Sequence, residues 1–150
     1  MKNIFNQEIV TETINRIEKL TPEAKPHWGK MPVNTMLAHC NVAYELVFED
    51  KHPKPNVIMK FILKSFIKDL VVNEKPFKKS SMTSPAFIIK DERKFEKEKT
   101  RLIDHLTKTQ LLGASYFDKK ESHSFGILTK DEWNNMFYKH LNHHLNQFGV

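Results

Sequence analysis

Residues 129–147 read TKDEWNNMFYKHLNHHLNQ, and this stretch predicts one long amphipathic helix. Thr129 and Glu132 have the spacing of a capping box, in which both side chains bond backbone N–H groups at the start of a helix. At about 100° per residue the apolar side chains fall on one face, and His140 and His144 lie among them, one turn apart. The apolar members of this face are Trp133, Met136, Phe137, Leu141 and Phe148.

The rest of the chain divides into helices at its prolines, because proline interrupts a helix interior. All seven prolines fall in four clusters, and the stretches between them are long enough for helices. The periodicity predicts an all-α fold, with loops or short extended pieces over 73–87 and 113–128. Acidic side chains suit a helix N-terminus, so we expect Asp91 and Glu92 to lie at the start of the fourth helix. The predicted helices cover 3–20, 33–49, 56–72 (a shorter, additional helix), 89–112 and 129–147.

Length and composition favour one globular domain over residues 1–150, since the chain has 39% hydrophobic and 28% charged residues. Cys40 is the single cysteine, which excludes an intrachain disulfide and favours a reducing, cytoplasmic location. The N-terminal residues show no secretory signal pattern. The most apolar stretch, 57–72, is interrupted by three lysines and Asp69, so we expect no membrane-spanning helix.

The net charge of +6 is confined to one part of the sequence. Residues 51–80 hold eight lysines against Asp69 and Glu74, and this segment alone accounts for the surplus. It contains no arginine, the residue that base readout and bidentate phosphate binding favour. A local lysine cluster without a basic surface elsewhere argues against nucleic-acid binding.

Within this basic segment, residues 56–72 place a lysine stripe opposite an apolar face. We expect the lysines to face solvent and the apolar face to pack against the protein, with an anionic membrane surface as the alternative partner. Because the apolar arc is wider than one small bundle face needs, we also expect a second subunit to cover part of it, giving a homodimer. The stripe is Lys60, Lys64 and Lys68, and the opposite face includes Ile58, Ile62, Phe66 and Leu70.

Three histidines are predicted to lie close together in the interior of the protein. His39 is central on the apolar face of the predicted helix 33–49, and His140 and His144 are central on that of the last helix. A buried imidazole must find partners for its polar nitrogens, and three converging imidazoles can bind one divalent ion with open coordination positions. Zinc, nickel and iron all suit such a site. The alternative is that each histidine is hydrogen-bonded to a carbonyl or carboxylate and binds no metal.

We do not expect Cys40, His143 or His105 to be central to such a site. Cys40 lies about 100° from His39 on the helical wheel, so we expect a small packing residue and not a nucleophile. His143 falls on the border of the apolar face, and we expect it to be exposed to solvent. His105 borders the stripe of its own helix, where it is either a fourth ligand or, as we favour, a surface residue.

Two blocks of sequence carry a family resemblance. The first is WGKM at 28–31 followed by MLAHC at 36–40, and the second is GILTKDEW at 126–133 followed by YKHLNHHLNQFG at 138–149. In this order and at this distance, they resemble a bacterial family, domain-of-unknown-function family 1569 (DUF1569), over nearly the whole chain. That family is grouped in the DinB/YfiT-like superfamily, so the resemblance implies a DinB-like four-helix bundle with an additional short helix between helices 2 and 3.

The resemblance also implies a set of metal ligands. Superfamily members carry one histidine on the second long helix and an H-x-x-x-H pair on the last, and this pattern matches His39, His140 and His144. The chain departs from the family at Asn142, where an aspartate is usual, and at 123–126, where HSFG is one residue shorter than the family's H-P-F-F-G. We expect Asn142 to point away from the three histidines.

The expected function follows from this likeness. The superfamily includes transferases in which a metal activates a low-molecular-weight thiol, so we expect a cytoplasmic enzyme that depends on a divalent metal ion (Zn, Ni or Fe). Its reaction is a transfer or hydrolysis on a small-molecule substrate, with no nucleic-acid or membrane partner. The alternative is a non-catalytic helical domain without metal, which binds a small ligand or serves dimerisation.

Overall fold

Helices and one short β-hairpin make up the computed structural model, which describes residues 1–150. The all-α fold class is confirmed at this level, because the two strands contain only two residues each. None of the helices combines the length and the hydrophobicity that a membrane span requires. The elements are α1 (Gln7–Glu18), α2 (Val33–Phe48), α3 (Val57–Ile62), a π-helical turn (Leu63–Ile67), α4 (Lys68–Val72), a 3₁₀ turn (Pro85–Phe87), α5 (Phe95–Phe117), β1 (Glu121–Ser122), β2 (Gly126–Ile127) and α6 (Lys130–Gln147).

The core lies between the long helices. Helix α2 packs against both α5 and α6, while α1 packs against α5. An aromatic column joins them, in which Tyr44 stacks on Phe137 with ring centroids 4.8 Å apart and Phe137 stacks on Trp133 at 5.4 Å. Burial of these large rings supplies much of the hydrophobic stabilisation, and it fixes the relative positions of α2 and α6.

The start of α6 forms as the sequence predicts. Thr129 Oγ1 accepts a hydrogen bond from the Glu132 backbone N–H at 3.2 Å, and Glu132 Oε2 accepts one from the Thr129 N–H at 2.9 Å. This is the predicted capping box. The bounds of α2 also agree with the prediction to within one residue. The two helices that carry the three histidines are therefore the two best-predicted elements.

The helix predicted over 89–112 is wrong at both ends. It begins at Phe95 because the preceding residues contact α2, where the Asn34 side chain donates to the Arg93 carbonyl at 2.8 Å. Asp91 therefore lies outside the helix, where it accepts a hydrogen bond from Arg93 at 2.9 Å. At the other end the helix continues to Phe117 through a kink at Gly113, whose φ of 71° is easily adopted by glycine. The first helix is also shorter than predicted, covering Gln7–Glu18.

The 57–72 segment has the opposite orientation to the predicted one. Lys60 and Lys68 point toward the protein, where they form ion pairs with Glu121 at 2.6 Å and with Glu132 at 2.7 Å. Most apolar side chains of the segment face outward, whereas Leu63 and Val71 are half-buried and Val72 is buried. The predicted packing of the apolar face is therefore wrong, and of the lysine stripe only Lys64 is exposed as predicted, because the hairpin and α6 present carboxylates to Lys60 and Lys68.

Candidate metal centre

His39, His140 and His144 meet between α2 and α6 and form what we call the histidine cluster. One ring nitrogen from each lies within 4.8 Å of the other two. The ring centroid of His39 is 4.9 Å from that of His140 and 4.6 Å from that of His144. The centroids of His140 and His144 are 4.9 Å apart. The sequence prediction that three histidines share one interior is confirmed.

Local helix geometry explains why the rings converge. His140 and His144 are one turn apart on α6, so their side chains lie on the same face. His39 lies near the middle of α2, where eleven of sixteen residues are buried, and α2 and α6 are held together by the aromatic column. His39 and His144 are buried and His140 is half-buried, so the cluster lies in the interior between the two helices.

The tautomer of His39 is set by a backbone carbonyl. Its Nδ1 lies 3.0 Å from the Phe87 oxygen, which can only accept, so Nδ1 carries the proton. The lone pair is then on Nε2, which faces His140 at 2.9 Å. The Phe87 ring also packs near His39 and His140, at centroid distances of 5.3 and 5.5 Å. Phe87 thus both orients His39 and covers the cluster.

The tautomer of His144 is set by Gln147 in the same way. The Gln147 Nε2 donates to the Trp28 carbonyl at 2.7 Å, so its Oε1 is the atom that faces His144. His144 Nδ1 therefore donates to that oxygen at 2.9 Å and leaves Nε2 unprotonated. Hydrogen bonds of this kind from the second ring nitrogen orient histidine ligands and raise their basicity in metal sites.

The electrostatics of the cluster keep all three rings neutral. Burial lowers the pKa of His39, and it lowers the pKa of His140 well below the usual value. A positive charge on His39 or His144 would lower the pKa of His140 further. The pKa of His144 is lowered to about 3, chiefly by burial. No carboxylate lies within ion-pair distance of the three rings. Neutral imidazoles with free lone pairs are the form that binds a metal ion.

This donor set fits a divalent ion. The Nε2 atoms of His39 and His140 are 2.9 Å apart, so both are within reach of one ion with metal–nitrogen bonds of about 2.0–2.1 Å. Two unprotonated nitrogens at this distance repel each other unless a proton or a cation lies between them. Three neutral imidazoles, two of them with fixed tautomers, are what a three-histidine site requires.

The remaining histidines lie outside the cluster. His143 is half-buried and packs edge-on against Trp28 at 5.9 Å and Phe77 at 5.8 Å, close to its predicted border position. His105 is buried, so its assignment to the surface is wrong, and its Nδ1 bonds Asn41 Oδ1 at 3.0 Å. It is not a fourth member, because Asn41 and Glu98 form a separate polar network between α2 and α5.

The positions of Cys40 and Asn142 agree with the sequence predictions. Cys40 is fully buried with its Sγ 3.7 Å from the Met36 sulfur, and burial raises the pKa of its thiol, as suits the predicted packing role. Asn142 accepts a hydrogen bond from Arg16 at 2.7 Å and therefore faces α1. In the hairpin, His123 bonds Ser124 at 2.9 Å, away from the three clustered histidines.

Sequence reasoning missed the two groups that orient the cluster. Gln147 was detectable, because it lies three residues after His144 and so on the same helix face. Phe87 was not, since its contribution is a backbone carbonyl from a 3₁₀ turn that tertiary packing brings to α2. No side-chain pattern reports a carbonyl of this kind.

Comparison with known proteins places the chain in a family. The family model described as "Protein of unknown function (DUF1569)" matches residues 5–149, and the chain belongs to this family. The matched region includes all three histidines of the cluster, and it confirms the family resemblance seen in the sequence. Neither the curated proteins nor the solved structures give a significant match.

Proposed function

We propose that the histidine cluster holds one divalent metal ion, and that this protein is a metal-dependent enzyme acting on a small molecule. The observation that carries the proposal is the pair of fixed tautomers at His39 and His144, whose Nε2 lone pairs face the same space. Hydrogen bonds from Nδ1 to carbonyl oxygens leave the Nε2 lone pairs free, which is the arrangement that metal-ligating histidines require.

The proposed ligands are His39, His140 and His144. When bound, a divalent ion such as Zn²⁺, Ni²⁺ or Fe²⁺ supplies Lewis acidity, which lowers the pKa of a thiol or water and makes it nucleophilic at neutral pH. The chain itself keeps the three imidazoles neutral by burial. The Phe87 ring covers one side of the cluster and limits water there.

We further propose the DinB/YfiT-like arrangement for this chain. In it, α1, α2, α5 and α6 are the four helices of the bundle, and the 57–72 segment is the additional short helix between the second and third. Mutual packing of α2, α5 and α6 around the aromatic column supports this arrangement. Within it, the expected reaction is a thiol-dependent transfer or a hydrolysis.

A second candidate function also has support from one contact. The Nε2 atoms of His39 and His140 are close enough for a direct hydrogen bond without any ion. In that case the protonated Nε2 of His140 donates to His39, and the cluster is a polar bridge between α2 and α6. The protein would then be a non-catalytic helical domain that binds a small ligand or dimerises.

Metal analysis distinguishes the two functions. The protein is produced without a polyhistidine tag in medium supplemented with zinc, nickel and iron, and its metal content is measured after gel filtration. We expect about one ion per chain in the wild type and His143→Ala, and nearly none in His144→Ala. Substoichiometric metal in the wild type under all three supplements would overturn the enzyme proposal.

A further inference from the structure

The outward side of the 57–72 segment forms an apolar ridge, defined here by five side chains. Their exposed fractions are 85% for Val57, 74% for Ile58, 67% for Phe61, 73% for Phe66 and 57% for Leu70. Ile127 of the hairpin, 67% exposed, adjoins the ridge beside Val57 and Phe61. Single exposed apolar residues are ordinary, but a contiguous group of this size marks an interaction surface.

Polar contacts on the opposite side hold the ridge in this orientation. Lys60 and Lys68 form ion pairs with Glu121 and Glu132. The buried ammonium of Lys139 donates to the Leu70 carbonyl at 2.9 Å, and Asn135 Nδ2 donates to the Val72 carbonyl at 2.9 Å. The segment therefore cannot turn its apolar side inward without breaking buried hydrogen bonds.

The ridge lies within the most basic segment of the chain. Of the eight lysines in residues 51–80, five form no ion pair, and the segment carries the whole net charge of the chain. Lys64 lines a groove with Val57 and Phe61 directly beside the ridge. The five lysines without an ion pair are Lys54, Lys64, Lys75, Lys78 and Lys79.

We propose that the apolar ridge rests on the surface of an anionic phospholipid bilayer. Amphipathic helices with this composition lie in the interface with their apolar side roughly 5–10 Å deep, and their lysines contact the lipid phosphates. The segment is far too short to cross a bilayer, so it lies parallel to the surface. A membrane needs no matching groove, so side chains that stand out from the protein can insert directly.

Charge complementarity favours lipid over a second copy of the chain. A symmetric dimer through this ridge brings two lysine-rich segments together, and like charges at an interface oppose association. An anionic bilayer neutralises the same lysines. The sequence expectation of no membrane partner depended on the lysine stripe facing solvent, and Lys60 and Lys68 instead face the protein.

Vesicle flotation tests the apolar contribution. The full-length protein is mixed with vesicles of phosphatidylcholine alone, or of phosphatidylcholine with roughly 30% phosphatidylglycerol, at low salt. We expect binding to the anionic vesicles, and a loss of roughly tenfold or more in the double variant Phe61→Ser/Phe66→Ser. Leu111→Ser is the matched control, because Leu111 is 76% exposed on α5, outside the ridge.

A second pair of variants tests the charge contribution without altering the ridge. Lys54→Gln/Lys64→Gln should weaken binding to anionic vesicles severalfold, whereas Lys25→Gln/Lys97→Gln, which removes the same charge elsewhere, should not. Three results would overturn the proposal: no flotation with either vesicle, equal flotation with both, or a solution dimer that dissociates in Phe61→Ser/Phe66→Ser and binds no vesicle.

Discussion

The histidine cluster and the apolar ridge break the usual distribution of polar and apolar groups in opposite ways. The cluster places three imidazoles inside, and directional hydrogen bonds from Phe87 and Gln147 satisfy two of their nitrogens. The ridge places five apolar side chains outside, and nothing in the chain covers them. Buried polar groups can be satisfied internally, one bond at a time, whereas exposed apolar area can be removed from water only by an external partner.

The largest expected effect of breaking the cluster is the loss of metal-dependent stabilisation. At a free metal concentration of one hundred times Kd, binding stabilises the native state by about 2.7 kcal/mol, which corresponds to roughly 5–11 °C in Tm for a chain of this size. His39→Ala, His140→Ala and His144→Ala should each lose this shift, as measured by thermal melting with and without added metal. His143→Ala should keep it. Unequal, metal-independent losses in the three variants would instead favour the hydrogen-bonded alternative.

Removing the partner of a ligand should weaken the site without destroying it. Gln147→Ala deletes the acceptor for His144 Nδ1, so the ring loses its orientation. We expect metal affinity to fall by about 10–100-fold, the usual effect of losing such a partner. Isothermal titration measures it, with Gln7→Ala on the exposed side of α1 as control. An unchanged affinity would mean that Gln147 only packs against Trp28.

The metal-free protein should lose stability in acid because of the cluster. The pKa of His144 is lowered to about 3 in the folded state, so below the unfolded value of about 6.5 the unfolded chain binds more protons. Stability is therefore complete above pH 6.5 and falls as the pH drops toward the folded pKa, by up to about 1.4 kcal/mol per pH unit for one such histidine. Urea unfolding with a chelator at pH 7.5, 6.5 and 5.5 should show this slope.

The variant His144→Gln tests whether His144 causes this loss of stability in acid. His144→Gln cannot titrate, and its stability should decline less steeply between about pH 6.5 and pH 5.5. Burial also lowers the pKa of His123, in the hairpin, so His123→Gln should reduce the slope as well and measures the part that does not come from the cluster. Identical slopes in wild type and His144→Gln would contradict the burial of a neutral ring at this position.

The two regions also differ in how far their sequences predict them. Helical wheels predict the convergence of the three histidines correctly, because hydrophobic periodicity identifies the inward faces of α2 and α6 on which they lie. The same reasoning failed at 57–72. A helical wheel separates two faces but does not say which one meets the protein, and here ion pairs and buried hydrogen bonds to the hairpin and α6, distant in sequence, hold the lysine side inward. Tertiary contacts of residues 85–94 likewise delay the start of α5 to Phe95.

A substitution on the ridge should change stability much less than one in the core. Phe137 is buried in the aromatic column, so Phe137→Ala should cost about 3–5 kcal/mol of stability. Phe66 touches mainly water, so Phe66→Ala should stay within about 0.5 kcal/mol of the wild type in lipid-free solution. Urea unfolding at two protein concentrations measures both. If Phe66→Ala cost more than about 1 kcal/mol, and more so at high protein concentration, the ridge would already be covered in solution by a second subunit, because only an associated native state makes stability depend on concentration.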